Sequence, residues 1–315
     1  MKHLYKIGLL LLLLGLALFI SGWQGSGHNI SAINGSLGSF TLHAGSSDAL
    51  EDHSADYSPT DLKQIVLDED IAEVHILPSS DDSIHLRWQE REGNRLNVDL
   101  SGKTLIIKRE NQGHFGVYLN MTEALVTELE LPASLTLELK VQTDTGSITA
   151  ETLDLNGSAQ FSTDTGALSL TGLSLSALDV ESDTGRILLG GSCGTVTVDG
   201  GTGSVTAEGL TCASLDIKTD TGAIRLTDVS AAAAISAKSD TGAITLSHVS
   251  GGSELSFKTD TGSIRGSLTG KTEDYTFRTK SGTGRSNLPG NWGHGALLLT
   301  VSSDTGTIEI SFEDD

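Results

Sequence analysis

The chain has 315 residues and a formal net charge of −21, because 41 acidic side chains outweigh 20 basic ones. This charge argues against nucleic-acid binding, since phosphate contacts need a basic surface. The two cysteines exclude a disulfide-dense scaffold or a zinc ribbon. Aromatic residues make up only 4% and glycines number 37, so the interior is expected to consist of small aliphatic side chains.

The first 23 residues predict a signal anchor, with a cleaved signal peptide as the alternative. Lys2 and Lys6 precede an unbroken apolar run from Ile7 to Ile20, and Trp23 follows. The run is near the lower limit for a membrane span, no small-residue cleavage site follows it, and Trp23 suits the headgroup level. The next basic residue is Lys63, so the charge bias places the N-terminus inside and the rest of the chain outside. Cleavage would instead yield a secreted protein.

Two segments precede the regular part of the chain. Residues 24–60 are rich in Gly, Ser, Asn and Asp and have weak periodicity, which predicts a flexible linker. Residues 61–131 contain short alternating runs, such as Ile84–Trp88 and Leu96–Leu100, separated by turn signals. They predict an irregular β section that acts as a cap or as first coils. Trp88 is interpreted as cap core, with a ligand platform as the alternative.

A repeat of 18 to 20 residues dominates residues 132–315, with one longer step before its last copy. Each unit has an alternating run, a Ser/Thr-Asp-Thr-Gly turn and a second alternating run, which predicts two strands with one buried face. Glycine supplies a permissive backbone at the corner, and the aspartate is expected to hydrogen-bond the turn. Gly201 and Lys280–Gly282 mark degenerate copies. The acidic positions of the repeat are Asp144, Asp164, Asp183, Asp220, Asp240, Asp260 and Asp304.

Stacking of these units predicts the fold, because one strand–corner–strand unit cannot bury its own apolar face. We expect an all-β, single-stranded β-solenoid, right-handed, with about nine coils of roughly 20 residues. Cys193 and Cys212 each lie eight residues before the aspartate position of their unit, so they should stack on adjacent coils. A spacing of about 4.8 Å permits a disulfide; two stacked buried thiols are the alternative.

Basic residues follow the same period and form the candidate ligand face. Lys218, Lys238, Lys258 and Arg278 are assigned to the position two residues before the aspartate, and Arg225 and Arg265 lie just beyond the corner. The simpler interpretation is a solvated salt-bridge ladder beside the aspartates. The functional interpretation is a grip on an anionic envelope polymer. Thr-x-Thr pairs at the corner predict stacked hydroxyl ladders.

No catalytic, metal or cofactor site is predicted. Asp-Thr-Gly-Ser, at Asp144 and Asp260, resembles the aspartic-protease tetrapeptide, but that site needs two carboxylates sharing one proton across a cleft. A turn motif explains all seven copies. The aspartates could bind Ca²⁺, yet the calcium-binding nonapeptide of repeat β-helices is absent. The chain is therefore predicted not to be an enzyme.

The order of motifs resembles the bacterial DUF4097 family, labelled "putative adhesin". The resemblance rests on Ile65-Val-Leu, the run from Val74 to Leu86, Gly102-Lys-Thr-Leu-Ile-Ile-Lys, and Leu129-Glu-Leu-Pro-Ala before strands that end in Asp-Thr-Gly. It covers residues 62–315 and is similar to the membrane-anchored members found beside Lia-type envelope-stress genes of Gram-positive bacteria. It implies a β-helical extracytoplasmic domain and supplies no catalytic or ligand-binding residues.

Together these features predict a non-enzymatic, single-pass cell-membrane protein that acts as an adhesin or as an envelope scaffold or stress accessory. Its expected partners are the membrane, through the N-terminal apolar helix, and a cell-wall polymer or a membrane protein. Two alternatives stay open. One is an enzyme acting on envelope polysaccharide, and the other is a sensory accessory that binds a neighbouring membrane protein.

Overall fold

The computed structural model describes residues 34–37, 40–43, 50–91, 94–111, 115–118 and 124–313. The predicted anchor at residues 1–23 lies outside these ranges. Within them, no helix is long and apolar enough to cross a bilayer. The chain divides into two compact units. The smaller comprises Met1–Glu51, Glu90–Arg95 and Glu110–Ala124, and the larger comprises Asp52–Gln89, Leu96–Arg109 and Leu125–Asp315.

The smaller unit contains a three-stranded sheet made of β1 (Asn34–Leu37), β2 (Phe40–His43) and β9 (Phe115–Tyr118). β1 and β2 pair antiparallel, and β2 and β9 pair parallel. The first two of these strands fall in the segment that the sequence predicted to be a flexible linker. That prediction is wrong there, because residues distant in sequence supply the third strand and so complete a sheet.

Seven strands with irregular spacing precede the repeat. They are β3 (Glu51–Tyr57), β4 (Gln64–Glu69), β5 (Glu73–Pro78), β6 (Ile84–Glu90), β7 (Asn94–Ser101), β8 (Thr104–Asn111) and β10 (Val126–Leu131). β3 also lies within the predicted linker. It pairs with β6, and its Tyr57 packs against the hydrophobic core, so tertiary contacts order a segment with weak periodicity of its own.

The repeat forms a β-solenoid, as the sequence predicted, with about eight turns in place of the nine expected. We call each turn a coil. A single-turn 3-10 helix at Thr272–Asp274 precedes β22. The strands are β11 (Glu138–Thr145), β12 (Ile148–Glu151), β13 (Ser158–Thr165), β14 (Leu168–Thr184), β15 (Ile187–Thr202), β16 (Val205–Thr221), β17 (Ile224–Thr227), β18 (Ser230–Thr241), β19 (Ile244–Gly251), β20 (Glu254–Thr261), β21 (Ile264–Thr269), β22 (Tyr275–Thr283), β23 (Leu297–Thr305) and β24 (Ile308–Glu313).

Two ladders of parallel strands run along the solenoid and meet at the Asp-Thr-Gly corner. The first ladder contains the strands before the corner, where Val141 lies beside Phe161. The second contains the strands after it, where Ile148 lies beside Leu168. Alternate residues point inward, so each inward position forms a buried column along the axis. One such column is Ile217, Ala237, Phe257 and Val301, all at most 1% exposed.

Chain order and spatial order differ at both ends of the solenoid. At the N-terminal end, β4 lies between β8 and β11 in the first ladder, and β5 lies between β10 and β12 in the second. At the C-terminal end, β23 lies between β20 and β22. Chain order predicts that the degenerate copy at Lys280–Gly282 stacks directly on the coil of Asp260. That prediction is wrong, because the chain returns and inserts the coil of Asp304 between them.

The two ends also close their cores differently. At the N-terminal end, the buried Arg109 guanidinium bonds the buried Glu69 carboxylate and donates to the Thr127 hydroxyl at 3.3 Å and the Gln89 carbonyl at 3.1 Å. At the C-terminal end, the core is closed by the aromatic side chains of Tyr275, Phe277 and Phe312, with ring centroids 5.0 to 6.2 Å apart.

Candidate functional site

The first residue of the Ser/Thr-Asp-Thr-Gly motif is buried, and in most coils its hydroxyl bonds the adjacent coil; the buried Ser182 hydroxyl, which has no partner, is the exception. The Thr259 hydroxyl donates to the Gly242 carbonyl at 2.9 Å, and Ser239 donates to Gly222 at 3.0 Å. Thr163 does the same to Gly146 at 3.2 Å. This ladder of hydroxyl–carbonyl bonds satisfies corner carbonyls that would otherwise be buried without a side-chain donor.

The glycine of the motif is required by the close approach of the neighbouring coil. A Cβ atom added at Gly222 would lie 1.6 Å from the Gly203 carbonyl oxygen, and one at Gly185 would lie 1.7 Å from that of Gly166. Neither distance is compatible with any side chain. The corner therefore requires glycine chiefly because the backbones of adjacent coils stack closely there. The sequence had pointed to a different reason, the conformational freedom of glycine.

The aspartate of the motif does not bond the turn. Across the coils that the structure describes, no aspartate of the repeat accepts a hydrogen bond from the corner backbone; Asp240 and Asp304 bond lysine side chains instead. The expectation of an Asp-capped turn is wrong, because the corner N–H groups already donate to carbonyls of the neighbouring coil, as Gly242 does to Thr261 at 2.9 Å. The carboxylates point to solvent and form the aspartate column.

A column of threonines lies beside the aspartates on the outside. The second threonine of each corner stacks in register with the next, and each is exposed. Only one member of each Thr-x-Thr pair is therefore outward, because the other belongs to the buried ladder. The predicted hydroxyl stacking is confirmed along the whole repeat: Thr145, Thr165, Thr184, Thr202, Thr221, Thr241, Thr261, Thr305 and Thr283.

The predicted basic residues stack in register over three coils. Lys218 lies beside Lys238, and Lys238 beside Lys258. The next position is Ser302, followed by Lys280. We call Lys218, Lys238, Lys258 and Lys280 the basic column. Arg278 is not part of it, because Arg278 pairs with Thr300, two residues earlier on the strand. The assignment of Arg278 to this position was wrong because Lys280, instead of Gly282, had been aligned with the aspartate position.

The basic column is exposed and borders the aspartate column. The Lys238 ammonium lies 2.7 Å from Asp240, and Lys218 lies 3.2 Å from Asp216. The hydrogen bond to Asp240 and the charges of Asp240, Asp260 and Asp220 raise the pKa of Lys238. Towards the N-terminal end the same position carries Asp199, next to Lys218, and Glu181. The charge at this outward position therefore changes sign along the axis.

Arg225 and Arg265 lie on the second ladder, separated by Thr245. Both side chains are exposed. The guanidinium of Arg265 lies 3.7 Å from the carboxylate of Glu309 on the neighbouring strand. The two arginines thus lie on the strands that follow the corner, whereas the basic column lies on the strands that precede it.

Like charges accumulate at the N-terminal end of the aspartate column. Burial raises the pKa of Asp144, and the neighbouring carboxylates of Asp70, Asp164 and Asp68 raise it further. Asp70 occupies the coil before Asp144, where its carbonyl accepts a hydrogen bond from Thr145 at 2.7 Å. The sequence analysis missed Asp70 because Ile-Ala follows it in place of Thr-Gly.

A family model described as Toastrack DUF4097 matches residues 62–314. The chain belongs to this family. No curated protein matches it. The match confirms the resemblance noted in the sequence, and it spans the solenoid together with the irregular strands that precede it. The corner motif described above is thus the local construction of a toastrack domain in this chain.

Solved structures similar to this toastrack chain share little sequence with it. A "putative adhesin" from Bacteroides fragilis is 17% identical, with a TM-score of 0.45, over 83% of this chain and 97% of that chain. A "putative lipid binding protein" from Parabacteroides distasonis is 12% identical, with a TM-score of 0.47, over 82% and 97%. A "putative cell adhesion protein" from Clostridium sporogenes is 11% identical, with a TM-score of 0.27, over 84% and 100%.

The cysteines confirm the register that the sequence predicted. Cys193 pairs with Cys212 on the adjacent coil, and both are buried and present as free thiols. Burial raises the pKa of each thiol to about 11, so little thiolate is available at neutral pH. A disulfide between the two stays a prediction for this toastrack chain.

A groove of about 470 Å³ lies where β3, β6 and β10 meet. Trp88 stacks on His53 in it, with ring centroids 5.4 Å apart, and packs against the core. Polar groups of the groove contact one another: Gln89 donates to Asp52 at 3.2 Å, and the Arg87 guanidinium lies 4.0 Å from the Glu128 carboxylate. These contacts agree with the interpretation of Trp88 as cap core.

Proposed function

We propose that this DUF4097 member is a non-enzymatic, membrane-anchored extracytoplasmic protein that binds an anionic polymer of the cell envelope along its basic column. The observation that carries the proposal is the in-register stacking of Lys218, Lys238 and Lys258. Strand spacing of about 4.8 Å places three ammonium groups in a row. A linear polyanion can contact them simultaneously, which a single lysine cannot achieve.

Exposure and partial pairing support this role. The side chains of Lys218 and Lys238 are 59% and 48% exposed, and each has one neighbouring carboxylate. Exposed pairs of this kind contribute little to stability, so a polyanion can displace the carboxylates at small cost. The negative charges of the neighbouring aspartate column would repel the polymer, so the polymer would contact the lysines and avoid the aspartates.

An enzyme acting on envelope polysaccharide is the second candidate, and one observation weighs against it. Such an enzyme needs two carboxylates in a cleft with shifted pKa values. The carboxylate whose pKa is raised, Asp144, lies on the exposed and regular corner of the solenoid. A sensory accessory that binds a membrane protein remains the third candidate.

Cosedimentation of the full chain, in mild detergent, with peptidoglycan that carries teichoic acid tests the proposal. We expect saturable binding that weakens with salt. A variant with Lys218→Gln, Lys238→Gln and Lys258→Gln should bind about tenfold more weakly, because three modest contacts with the polyanion are lost together. Runs with and without Ca²⁺ separate a lysine grip from calcium bridging through the aspartates.

The matched control replaces Lys63, Lys103 and Lys140 by Gln, which removes the same charge elsewhere. It should retain wild-type binding. Equal loss in both variants would show that only net charge matters and would contradict the proposed face. Absence of binding to any polymer would move the assignment to a protein partner at the membrane.

A further inference from the structure

The C-terminal end of the first ladder is an open sheet edge. β22 pairs on one side with β23. On its other side, the part of the chain that the structure describes bonds it only at Phe277, whose N–H donates to the Trp292 carbonyl at 2.7 Å. Backbone groups alternate along a strand, so Thr279 and Ser281 present their N–H and C=O groups on the same outer side. No described residue pairs with them there.

The adjoining end of the second ladder is closed, so the open edge is confined to the first ladder. The Asn287 side chain donates to the Ile310 carbonyl at 2.8 Å and accepts from the Ile310 N–H at 3.1 Å. An amide side chain therefore replaces a neighbouring strand on β24. Over the described residues, the backbone of β22 has no comparable cover beyond Phe277. The hydroxyls of Thr279 and Ser281 are buried and have no hydrogen-bond partner, so they do not satisfy these backbone groups.

The side chains around this edge are basic. Arg278, Lys280 and Arg285 are all exposed, and among these three described residues Lys280 has an ion pair, at 3.4 Å to Asp304. Lysines on an edge strand oppose pairing with an identical edge, because like charges would face each other across the new ladder. They favour an incoming strand that carries carboxylates.

An aromatic anchor lies at one end of the open stretch. Trp292 is 57% exposed, and its ring centroid lies 6.2 Å from that of Phe277. The backbone of Trp292 bonds the backbone of Phe277, and the open edge begins directly after Phe277. Tryptophan and arginine are the residues most enriched at the centres of protein interfaces, so the edge has backbone groups, charge and an apolar contact in a row.

We propose that β22 accepts an extended acidic peptide strand from another protein by strand addition at Thr279 and Ser281. Main-chain hydrogen bonds would provide the binding energy. Arg278 and Lys280 would select for acidic residues, and Trp292 would contact an apolar side chain at one end of the strand. This site shares Lys280 with the basic column, and Ser302 separates it from the contiguous lysines Lys218, Lys238 and Lys258. It does not depend on polymer binding by those three.

Fluorescence anisotropy with the full chain and a labelled peptide tests the proposal. The probe is Thr-Ile-Glu-Ile-Ser-Phe-Glu-Asp-Asp, the sequence of residues 307–315, in which apolar residues alternate with polar or acidic ones as far as Glu313. A second probe carries Lys at each acidic position. We expect saturable binding of the acidic probe alone. Arg278→Glu with Lys280→Glu should weaken it about tenfold or more, and Ser281→Pro should weaken it by removing an outward N–H.

The charge-reversal variant alters only exposed side chains, so it remains informative if Ser281→Pro fails to fold. Lys238→Glu with Lys258→Glu is the matched control and should bind the acidic probe as the wild type does. No saturable binding up to roughly 1 mM, or equal binding by the edge variant and the wild type, overturns the proposal. Concentration-dependent self-association in light scattering, lost in the edge variant, would assign the edge to a second copy and also overturn it.

Discussion

The first and second halves of the regular solenoid share one interior and differ on the outside. Residues 124–203 contain eleven acidic and two basic side chains, whereas residues 204–313 contain twelve acidic and nine basic ones. Yet the same corner is built in both: Thr163 bonds Gly146 in the acidic half as Thr259 bonds Gly242 in the mixed half. The corner motif is therefore a scaffold. The position just before its buried Ser/Thr can carry either an acidic or a basic side chain.

This difference locates function outside the motif that dominates the sequence. Buried hydroxyls and stacked glycines recur because every coil has the same packing problem. The outward positions have no such constraint, and they change from Glu181 and Asp199 to Lys218 and Lys238 along one column. A property that varies while the scaffold stays constant is the one available for recognition.

Glycine substitutions at the corner should give the largest effect and should be equal in the two halves. Gly185→Ala and Gly222→Ala each place a Cβ within 1.7 Å of a carbonyl oxygen of the adjacent coil. We expect each to lower the free energy of unfolding by about 3 kcal/mol or more, or to prevent folding, since the backbone itself must shift. Thermal and urea denaturation measure this.

Gly290→Ala is the control for these substitutions, because nothing lies within 4 Å of the added Cβ. It should change stability by no more than about 0.5 kcal/mol. A well-tolerated Gly222→Ala would contradict the view that backbone stacking selects glycine. Unequal losses at Gly185 and Gly222 would show that the scaffold differs between the halves.

Removal of the buried hydroxyl should have an intermediate effect in both halves. Thr163→Val and Thr259→Val keep the shape of the side chain and delete the bond to the corner carbonyl. Each should cost about 1 to 2 kcal/mol, because the carbonyl loses its side-chain donor in a buried place. Chemical denaturation measures the loss.

The outward threonines of the same corners supply the comparison. Thr165→Val and Thr261→Val alter exposed members of the threonine column, and their effect should be within about 0.5 kcal/mol. If inward and outward substitutions cost the same, the hydroxyl ladder is not what ties the coils together.

The sequence predicted the solenoid and most of its register because alternation and a constant period determine which residues face inward. Cys193 and Cys212 illustrate this success, since counting from the aspartate position placed them side by side. The order of the last coils could not be predicted, because the insertion of β23 between β20 and β22 depends on long-range pairing. The error over Arg278 was a separate error of register, because Lys280 was aligned with the aspartate position instead of Gly282. Likewise, nothing local indicated that Glu69 and Arg109 would meet inside the core.

Neutralising single aspartates should have the smallest effects, with opposite signs in the two halves. The pKa of Asp144 is raised by burial and by Asp70, Asp164 and Asp68. Its folded pKa thus lies above the unfolded one, so its stabilising contribution is present at low pH and is lost as pH rises through the folded pKa. At pH 7, Asp144→Asn should therefore raise the free energy of unfolding by about 0.5 kcal/mol after solvent screening.

Asp240→Asn should instead lower the melting temperature at pH 7, because Asp240 accepts the bond from Lys238 that raises the pKa of that lysine. The gain from Asp144→Asn should vanish near pH 3, where the wild-type carboxyl is already protonated, and should shrink in 1 M salt, where repulsion is screened. Melting curves of both variants across pH and salt measure these effects. Stabilisation by both substitutions would show that the lysines do not offset the aspartate column, and that the two halves have the same electrostatics despite their different composition.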